Sequence, residues 1–448
     1  MHYKHETVET LGQKLRDGTT TAQQQADRAR QAAARAEPVF ITTVEDDAAA
    51  NSSDQRFQSH APRSALEGIP IAVKDVIATA GVRTTMGSRL FSDHVPSEDA
   101  QIVKQLKAAG ANIVGKSNTH EFSFGIRGDS TAFGVVPNPH DETRIAGGSS
   151  SGSAAAVARG IVPLAVGTDT AGSIRVPAAL CGAVGFKPTY DLLDTTGIFP
   201  LAPSFDTAGF LGTTVQDIIV AMAAVGVESI SDLSETGVDL EFRTLRGNPG
   251  LSSGIPPEET EQRVPDLLEA PDVHHPNFQG RPADFRGGVF NTIRSREAYL
   301  VHEPYLQSDS ASEQYQPLTY SRLQEGADIT DEQVQQAHAT IREIGERYLA
   351  EFADVDILLS TTVPIEAPPR DQKPGTGSEA LVSQAVAWNV LGWPALAIPY
   401  WSANDPLPKS VQVIGKPGRD ADVLRAGKHI EQLLSVGSTT TDDSKGRS

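Results

Sequence analysis

Apolar residues recur at helical spacing in the first part of the chain. Val8, Leu11 and Leu15 lie three or four positions apart, and an alanine-rich stretch over 20–37 follows them. This spacing places apolar side chains on one face of a helix. Residues 1–60 are therefore predicted to form a helical layer that packs on the rest of the chain.

The pattern changes at Gly68, where the apolar positions become nearly continuous. GIPIAVKDVI, residues 68–77, is rich in β-branched residues and is typical of a strand covered on both faces. A helix over about 99–109, a turn at Gly110 and a strand over about 112–115 follow. This order predicts an α/β crossover unit.

Apolar periodicity weakens beyond about residue 225 and returns near the C-terminus. Residues 228–290 contain many Pro and Glu and two adjacent histidines, His274 and His275, with no partner at metal-ligand spacing. This composition predicts irregular surface structure. Later segments predict helices around 295–305, over 331–352 and over 420–434, and buried strands over 355–364, 393–400 and 410–415. The tail, 436–448, is rich in Ser, Thr and Asp and is predicted to be disordered.

Charge and cysteine content exclude several classes of function. The chain of 448 residues has 38 basic and 57 acidic side chains, so its formal net charge is −19. Such a charge argues against a sequence-independent grip on nucleic-acid phosphates or on an anionic membrane. The lone cysteine, Cys181, excludes an intrachain disulfide framework and a multi-cysteine metal cluster, and it suits a reducing compartment. With no signal-peptide pattern and no apolar run near the ~20 residues that span a bilayer, the expected location is the cytoplasm.

Candidate chemistry concentrates in residues 147–177. Small residues crowd both ends of this stretch, each with a serine, and an apolar, strand-like run over 161–166 joins the two ends. The second end contains TAGS, a tight turn, after which a helix can begin with Pro177 in its first turn. This order of strand, turn and helix start places the Ser173 hydroxyl beside unpaired backbone N–H groups. It is the arrangement of an activated serine with an oxyanion hole.

Lys74 lies within the apolar strand over 68–77 and has two interpretations. Its ammonium group reaches out to solvent or pairs with Asp75, or burial lowers its pKa so that it acts as a base. The sequence leaves both open. Two other chemistries fit less well: GGSSSGS lacks the GK[ST] of a phosphate-binding loop, and no histidine is placed to serve Ser173 in a Ser-His-Asp triad.

Taken together, these segments closely resemble the amidase signature family. The resemblance runs from VKD at Val73 through GKSNTHEFSFG, RIAGGSSSGSAAAVARG, LAVGTDTAGSIRVPAALCGAVGFKPTY and SFDTAG, and returns with FADVDILLSTTVP, AWNVLGWPALAIP and VQVIG. It implies one large α/β domain over 1–435, with a mixed, mostly parallel sheet flanked by helices. The parts of this domain would be the helical layer over 1–60, a catalytic core over 68–225, a variable cap or insertion over 228–320 and a C-terminal part of the core over 331–435.

The resemblance also implies the roles of individual residues. Lys74 would be the catalytic lysine, Ser149 the bridging serine that follows a cis peptide bond, and Ser173 the nucleophile that forms the acyl-enzyme. A neutral Lys74 would take a proton through the Ser149 hydroxyl and so free Ser173 to attack an amide carbonyl, without metal or organic cofactor. The remaining site residues are the backbone amides of the oxyanion hole, Thr170, Ala171, Gly172 and Ser173, and the loop supports Ser150, Asp169 and Arg175. Asp206 and Asn118 are weaker structural candidates near the site.

By resemblance, the chain would hydrolyse a small-molecule carboxylic amide to a carboxylate and an amine or ammonia. One alternative is the amidase component of a tRNA-dependent amidotransferase, which has the same catalytic residues and needs an ammonia channel and a partner subunit. The other is a non-catalytic binding or scaffold protein of the same fold, against which the intact Lys74, Ser149 and Ser173 argue. No nucleic-acid or membrane partner is expected. One sequence fixes neither the amide nor the oligomeric state, and a homodimer stays open.

Overall fold

Eleven strands of the described chain form one mixed sheet. The fold is that of a computed structural model, which describes residues 5–36, 38–230, 233, 239–246, 270–278, 281–282, 285–402 and 405–437. Numbered along the chain, the strands are β1 (Phe40–Thr43), β2 (Pro70–Lys74), β3 (Asn112–Ser117), β4 (Leu164–Asp169), β5 (Val184–Lys187), β6 (Thr207–Gly212), β7 (Phe242–Arg246), β8 (Asp272–His274), β9 (Asn277–Phe278), β10 (Arg281–Pro282), β11 (Ile357–Thr361), β12 (Ala395–Tyr400) and β13 (Lys409–Gly415). Strands β9 and β10 pair with each other as a separate two-stranded sheet.

Helices flank the main sheet. Numbered along the chain, they are α1 (Val8–Arg16), α2 (Ala22–Arg35), α3 (Ala48–Gln58), α4 (Gln101–Ala109), α5 (Ser151–Ala158), α6 (Arg175–Cys181), α7 (Val215–Ala224), α8 (Asn291–Leu306), α9 (Ala311–Gln314), α10 (Pro317–Gln324), α11 (Asp331–Glu351), α12 (Ser378–Val382), α13 (Val386–Val390) and α14 (Asp420–Gly437). A π-helical segment, Phe285–Phe290, leads directly into α8. None of the described helices combines the length and the apolar character needed to cross a membrane.

The strand order of the main sheet is β1-β3-β2-β4-β6-β5-β12-β13-β11-β7-β8. The expected mixed sheet flanked by helices is confirmed. Within it, six neighbouring pairs of described strands are antiparallel and four are parallel, so the sheet is less parallel than the resemblance implies. The reason is connection length: the short return between β12 and β13 can join only antiparallel neighbours, whereas the parallel pair β2 and β3 is joined through α4.

The N-terminal helices form where the apolar spacing predicts them. Val8, Leu11 and Leu15 are buried on one face of α1, and buried alanines line one face of α2. Thr7 and Thr21 cap the two helices, because each side-chain oxygen accepts a hydrogen bond from a backbone N–H of the first turn. Capping satisfies donors that a helix start leaves unpaired.

The segment over 228–290 differs in part from the predicted irregular structure. Within its described residues, β7 and β8 pair in parallel with each other, and β7 also pairs with β11, so both strands extend the main sheet at one edge. Their side chains are mostly exposed or half-buried, which explains the weak apolar pattern. Residues 231–232, 234–238, 247–269, 279–280 and 283–284 lie outside the described residues. The tail over 436–448 was predicted to be disordered, but residues 436–437 form the end of α14, because the helix continues past the last apolar position; residues from 438 onward lie outside the described residues.

Small side chains let α5 pack closely on the strands that carry the candidate site. Every residue from Ser151 to Val157 is buried, and α5 contacts both β2 and β4. A Cβ atom on Gly152 would lie 2.3 Å from the backbone nitrogen of Asn118 and 2.3 Å from the backbone oxygen of Val39. Only glycine fits there. Helix α5 therefore fixes the serine loop that precedes it against the sheet.

Candidate active site

Two neighbouring strands bring candidate site residues to one edge of the sheet. Lys74 is the last residue of β2, and Thr168 is the last but one of β4. Because the strands are parallel, with Val73 opposite Val166, their carboxyl ends lie side by side. The Lys74 Nζ atom donates to the Thr168 hydroxyl at 2.7 Å and to the Ser149 hydroxyl at 2.7 Å. The lysine thus joins β4 to the serine loop before α5.

Lys74 is fully buried, with 0% of its surface exposed. Burial lowers the pKa of Lys74 to about 7, and the negative charges of Asp169 and Asp206 oppose part of that shift. Of the two interpretations left open by the sequence, the geometry favours the buried lysine. Asp75 lies instead 3.8 Å from the Nζ atom of Lys116. At neutral pH a large fraction of Lys74 is therefore uncharged and able to accept a proton.

Burial alone does not single out Lys74, because two other lysines are fully buried as well. Burial lowers the pKa of Lys116 to about 8 and that of Lys187 to about 7. Lys187 donates to the backbone carbonyl of Pro188, and Lys116 donates to the backbone carbonyl of Ile77 and to a threonine hydroxyl. A carbonyl cannot pass a proton onward, whereas a serine hydroxyl both accepts and donates one. The threonine that Lys116 contacts, Thr84, donates its own hydroxyl proton to the Val82 carbonyl at 3.0 Å, so that chain of hydrogen bonds also ends at a carbonyl. The contact with the Ser149 hydroxyl therefore distinguishes Lys74.

The serine loop before α5 is held by backbone hydrogen bonds on both sides. Its Gly148–Ser149 peptide bond is cis, as the resemblance implies. The carbonyl of Ser149 accepts from the His120 N–H at 3.1 Å, and the Gly148 N–H donates to the Ile126 carbonyl at 2.7 Å. The Ser150 N–H donates to the Ser173 carbonyl at 3.2 Å, which ties this loop directly to the second serine turn.

Asp169 organises the turn that carries Ser173. Its Oδ1 accepts the Gly172 N–H at 2.7 Å, and its Oδ2 accepts the Ile174 N–H at 3.1 Å and the Arg175 Nε–H at 3.0 Å. Burial by itself would raise the pKa of Asp169, but the charge of Arg175 and its hydrogen bonds outweigh burial and lower that pKa. The carboxylate therefore stays ionised and closes the turn.

The four backbone N–H groups of the turn over 170–173 differ in their hydrogen bonds. The N–H groups of Thr170, Ala171 and Ser173 have no hydrogen-bond partner among the described residues. Gly172, the fourth predicted donor, differs because its N–H is committed to Asp169. Ser173 itself is 4% exposed and faces a cavity. Unpaired N–H groups beside a serine that faces a cavity are what an oxyanion hole requires.

Arg175 and Asp169 belong to a buried network whose other members the sequence pattern does not single out. The Arg175 Nη2 atom donates to Asn389 Oδ1 at 2.6 Å, and Nη1 donates to Gln412 Oε1 at 2.8 Å. Asn389 Nδ2 in turn donates to Asp169 Oδ1 at 2.8 Å. Asn389 lies in AWNVLGWPALAIP and Gln412 in VQVIG. Both segments contribute to the family resemblance, but the sequence does not indicate that these two side chains contact Arg175. Thr168, the second acceptor of a hydrogen bond from Lys74, is another site residue that the sequence pattern does not single out.

Asp206 and Asn118, the weaker candidates, have different surroundings. Asp206 Oδ1 accepts the Thr170 hydroxyl at 2.6 Å, while its Oδ2 accepts backbone N–H groups of Leu201 and Ala202. It therefore fixes Thr170, the first residue of the turn over 170–173. The Asn118 side chain donates to the backbone carbonyls of Pro38 and Gly134, so it braces a loop away from Ser173.

Ser173 opens onto a small cavity of about 60 Å³. The wall combines the turn over 170–173 with apolar side chains, including Phe124 and Phe290, and with two arginines, Arg294 and Arg322. A larger cleft of about 670 Å³ lies at the edge formed by β1 and β3 and contains none of the candidate residues. Cavity size therefore does not locate the site; the serines and Lys74 do.

Comparison with known proteins identifies a matching family model, similar curated proteins and similar solved structures. A family model described as Amidase matches residues 18–263 and 298–424. The chain is 31% identical to the A subunit of the glutamyl-tRNA(Gln) amidotransferase of Alkaliphilus metalliredigens (strain QYMF), over 89% of each protein. Among solved structures, it is similar to a vestigial protein complex connected with the evolutionary origins of an s-triazine catabolic enzyme, with 29% identity, a TM-score of 0.86 and coverage of 95% of this chain and 98% of the other. It is also similar to a crystal structure of an amidase, with 28% identity, a TM-score of 0.82 and coverage of 96% and 100%.

Proposed function

The chain belongs to the amidase family, and from this premise we propose that it cleaves the C–N bond of a linear carboxylic amide through an acyl-enzyme on Ser173. One observation carries the proposal: the Nζ atom of a buried lysine, Lys74, lies 2.7 Å from the hydroxyl oxygen of Ser149. Burial lowers the pKa of this lysine to about 7, so an uncharged amine is available at neutral pH. Such a base can act through a hydroxyl on a neighbouring nucleophile.

The proposed chemistry is a two-step acyl transfer. Ser149 takes the hydroxyl proton of Ser173 while passing its own proton to neutral Lys74, and the Ser173 oxygen attacks the amide carbonyl carbon. The negative charge on the carbonyl oxygen is stabilised by the N–H groups of Thr170, Ala171 and Ser173. The relay returns the proton to the departing nitrogen, the C–N bond breaks, and an ester remains on Ser173. Water then attacks this ester with the same relay as base and releases the carboxylate.

A second candidate is the amidase component of a tRNA-dependent amidotransferase. It is favoured by curated relatives that are each named as the A subunit of a glutamyl-tRNA(Gln) amidotransferase. These relatives are 30–33% identical over 82–96% of this chain and support this candidate more directly than a stand-alone amidase. The same step on Ser173 would then release ammonia, and this ammonia would pass to a partner protein instead of into solvent.

Only the second candidate function involves a nucleic acid. The expectation of no nucleic-acid partner has no support from the amidotransferase relatives, whose names include a tRNA. A net charge of −19 suggests that contact with tRNA phosphates would be made by the partner protein rather than by this chain.

Labelling by a fluorophosphonate probe tests the shared chemistry. Wild-type protein should be labelled and Ser173→Ala should not. The matched control is Ser151→Ala, since the buried Ser151 hydroxyl has no hydrogen-bond partner among the described residues and its loss should leave labelling intact. A wild-type chain that is not labelled and hydrolyses no amide or ester in a broad panel would instead be a non-catalytic protein of this fold.

Product analysis separates the two candidates. Purified chain that releases carboxylate and amine from simple amides, with both products detected by mass, is a stand-alone amidase. Ammonia release that requires a copurifying second chain or charged tRNA identifies an amidotransferase component. Either result should be accompanied by labelling of Ser173.

Other expectations from the sequence stay predictions. These are the single domain over 1–435, the cytoplasmic location expected from the lack of a signal-peptide pattern and of a membrane-spanning apolar run, and the homodimer left open. Cell fractionation tests the location, and sedimentation of the purified chain tests the oligomeric state.

A further inference from the structure

A carboxylate on α8 holds the turn over 201–206, which lies beside the Ser173 cavity. Glu297 Oε2 accepts the Ser204 backbone N–H at 3.0 Å, and Glu297 Oε1 accepts the Ser204 hydroxyl. The two residues are half-buried and lie 93 positions apart in the chain. Leu201, at the start of the turn, lines the Ser173 cavity. Because both oxygens of the carboxylate bind donors of one residue, that residue is fixed in orientation as well as in position.

The turn over 201–206 is also closed by its own hydrogen bonds. The Asp206 N–H donates to the Ala202 carbonyl at 2.9 Å. In the other direction, Asp206 Oδ2 accepts the N–H groups of Leu201 and Ala202 at 2.8 and 3.0 Å. These bonds join the two ends of the turn, so its backbone moves as one unit. A contact made at Ser204 is therefore transmitted to the Asp206 side chain.

Asp206 connects this turn to the one that carries Ser173. Its second carboxylate oxygen, Oδ1, accepts the Thr170 hydroxyl at 2.6 Å. The Thr170 N–H is one of those without a hydrogen-bond partner among the described residues. A shift of Asp206 would change the direction of this N–H group, and hydrogen bonds weaken steeply when the donor is misaligned. A continuous series of contacts thus runs from α8 to a donor beside Ser173.

Two weaker contacts support the same turn. The Tyr190 hydroxyl donates to the Pro203 carbonyl at 2.8 Å, and the Phe205 ring centroid lies 5.2 Å from that of Phe290. The first is a single hydrogen bond to an exposed residue, and the second is a ring contact that leaves the backbone free to tilt. Among these described contacts, Glu297 is therefore the strongest restraint on the turn.

We propose that Glu297 is a positioning residue for the reaction at Ser173: it fixes Ser204 and thereby keeps Asp206 and Thr170 aligned while the Ser173 oxygen attacks. The inference rests on the proposed function, because it assigns a further residue to the same reaction. Glu297 does not belong to the described residues that line the Ser173 cavity. It acts through Asp206 rather than on the substrate.

The rate of fluorophosphonate labelling tests this role without knowledge of the amide. The Ser173 oxygen displaces fluoride from phosphorus, its proton leaves through the relay, and the phosphonyl oxygen lies where an amide oxyanion would. The saturating rate reports the reaction, and the half-saturating concentration reports binding of the probe. Glu297→Ala should lower the saturating rate by about 10- to 100-fold and change the half-saturating concentration by less than about threefold.

Glu297→Gln separates hydrogen bonding from charge. Burial is the main cause that raises the pKa of Glu297, and the negative charge of Asp206 raises it further, so the two carboxylates interact. Glutamine removes the charge but offers an oxygen to the Ser204 N–H and an N–H group to the Ser204 hydroxyl. This variant should therefore recover a rate within about threefold of wild type. A rate as low as that of Glu297→Ala would overturn the positioning role.

Glu303→Ala is the matched control. Glu303 lies on the same helix, is exposed, and accepts the Tyr299 hydroxyl at 3.4 Å, so its loss should leave the labelling rate as in wild type. Ser204→Ala removes one of the two hydrogen bonds from the opposite side and should lower the rate by about 3- to 10-fold. Thermal unfolding confirms that each variant folds. Where Glu297→Ala is too unstable to label, Ser204→Ala takes its place.

A double-mutant cycle distinguishes positioning from a general structural effect. If Glu297 acts through Asp206, adding Glu297→Ala to Asp206→Asn should lower the rate by less than about threefold further. Losses that multiply independently, or an unchanged rate in Glu297→Ala, would overturn the inference while wild-type labelling upholds the proposed function. Wild-type protein that is not labelled at all would overturn the proposed function and, with it, this inference.

Discussion

Lys74 Nζ lies 2.7 Å from the hydroxyl oxygen of Ser149, although the two residues are 75 positions apart in the chain. The contact joins the end of β2 to the loop before α5. The pKa of the Lys74 amine is lowered to about 7. Among the described residues, this amine donates hydrogen bonds only to the hydroxyl groups of Ser149 and Thr168. This relationship supports the proposed proton relay and gives the first prediction.

Lys74→Met should lower kcat by about 100- to 10,000-fold, since it removes the proposed base. The matched control is Lys187→Met, because Lys187 is equally buried and its pKa is also lowered to about 7, yet it donates to a backbone carbonyl. Steady-state hydrolysis with an excess of substrate measures both variants, and thermal unfolding confirms that both fold. Near-normal turnover by Lys74→Met would exclude the lysine relay.

Amide hydrolysis should rise with pH through about pH 7. The neutral form of Lys74 is the reactive one, and burial lowers its pKa to about 7, so kcat/KM should fall about tenfold for each pH unit below that value and level off above it. A pH series with a substrate that does not titrate over this range measures the profile. A rate that is flat or that falls as pH rises would show that protonated Lys74, or another group, governs catalysis.

Asp206→Asn should move the midpoint of this pH profile to lower pH by about 0.5 to 1 unit. The negative charge of Asp206 favours protonated Lys74, so its removal lowers the lysine pKa further. The same substitution disturbs the anchor of Thr170 and should lower kcat while leaving KM similar. Asp217→Asn serves as control, since Asp217 is a buried helix-capping carboxylate and should leave the midpoint in place. An unchanged midpoint in Asp206→Asn would assign this residue a structural role only.

Gly152→Ala should reduce the free energy of unfolding by about 3 kcal/mol, because the new Cβ atom would lie 2.3 Å from two backbone atoms that have little room to move. The matched control is Gly345→Ala in α11, where the nearest atom to the new Cβ lies 3.8 Å away. That control should be neutral or more stable by up to about 1 kcal/mol, as alanine favours the helix. Denaturant unfolding compares the two variants. A loss below about 1 kcal/mol at Gly152 would mean that α5 can shift away from β3 and β4 at little cost.

Much of the local structure follows from short sequence patterns. The spacing of Val8, Leu11 and Leu15 predicts α1, and the β-branched run around Lys74 predicts a buried strand. These predictions succeed because periodicity reports directly which face of an element is buried. Strands β7 and β8, the last two at one side of the sheet, are not predicted by the same reasoning, because half-exposed strands need few apolar residues.

The sequence by itself determined the elements, the turn chemistry around Ser173 and the presence of a lysine on an apolar strand. The pairing of Lys74 with Ser149 was implied by the family resemblance. Tertiary structure alone decided that Lys74 also meets Thr168, that Arg175 meets Asn389 and Gln412, and that Arg294 lines the Ser173 cavity. The physical reason is that strand order and direction, which are fixed by packing over the whole sheet, bring distant residues together. Local spacing contains no information on which distant segments become neighbours.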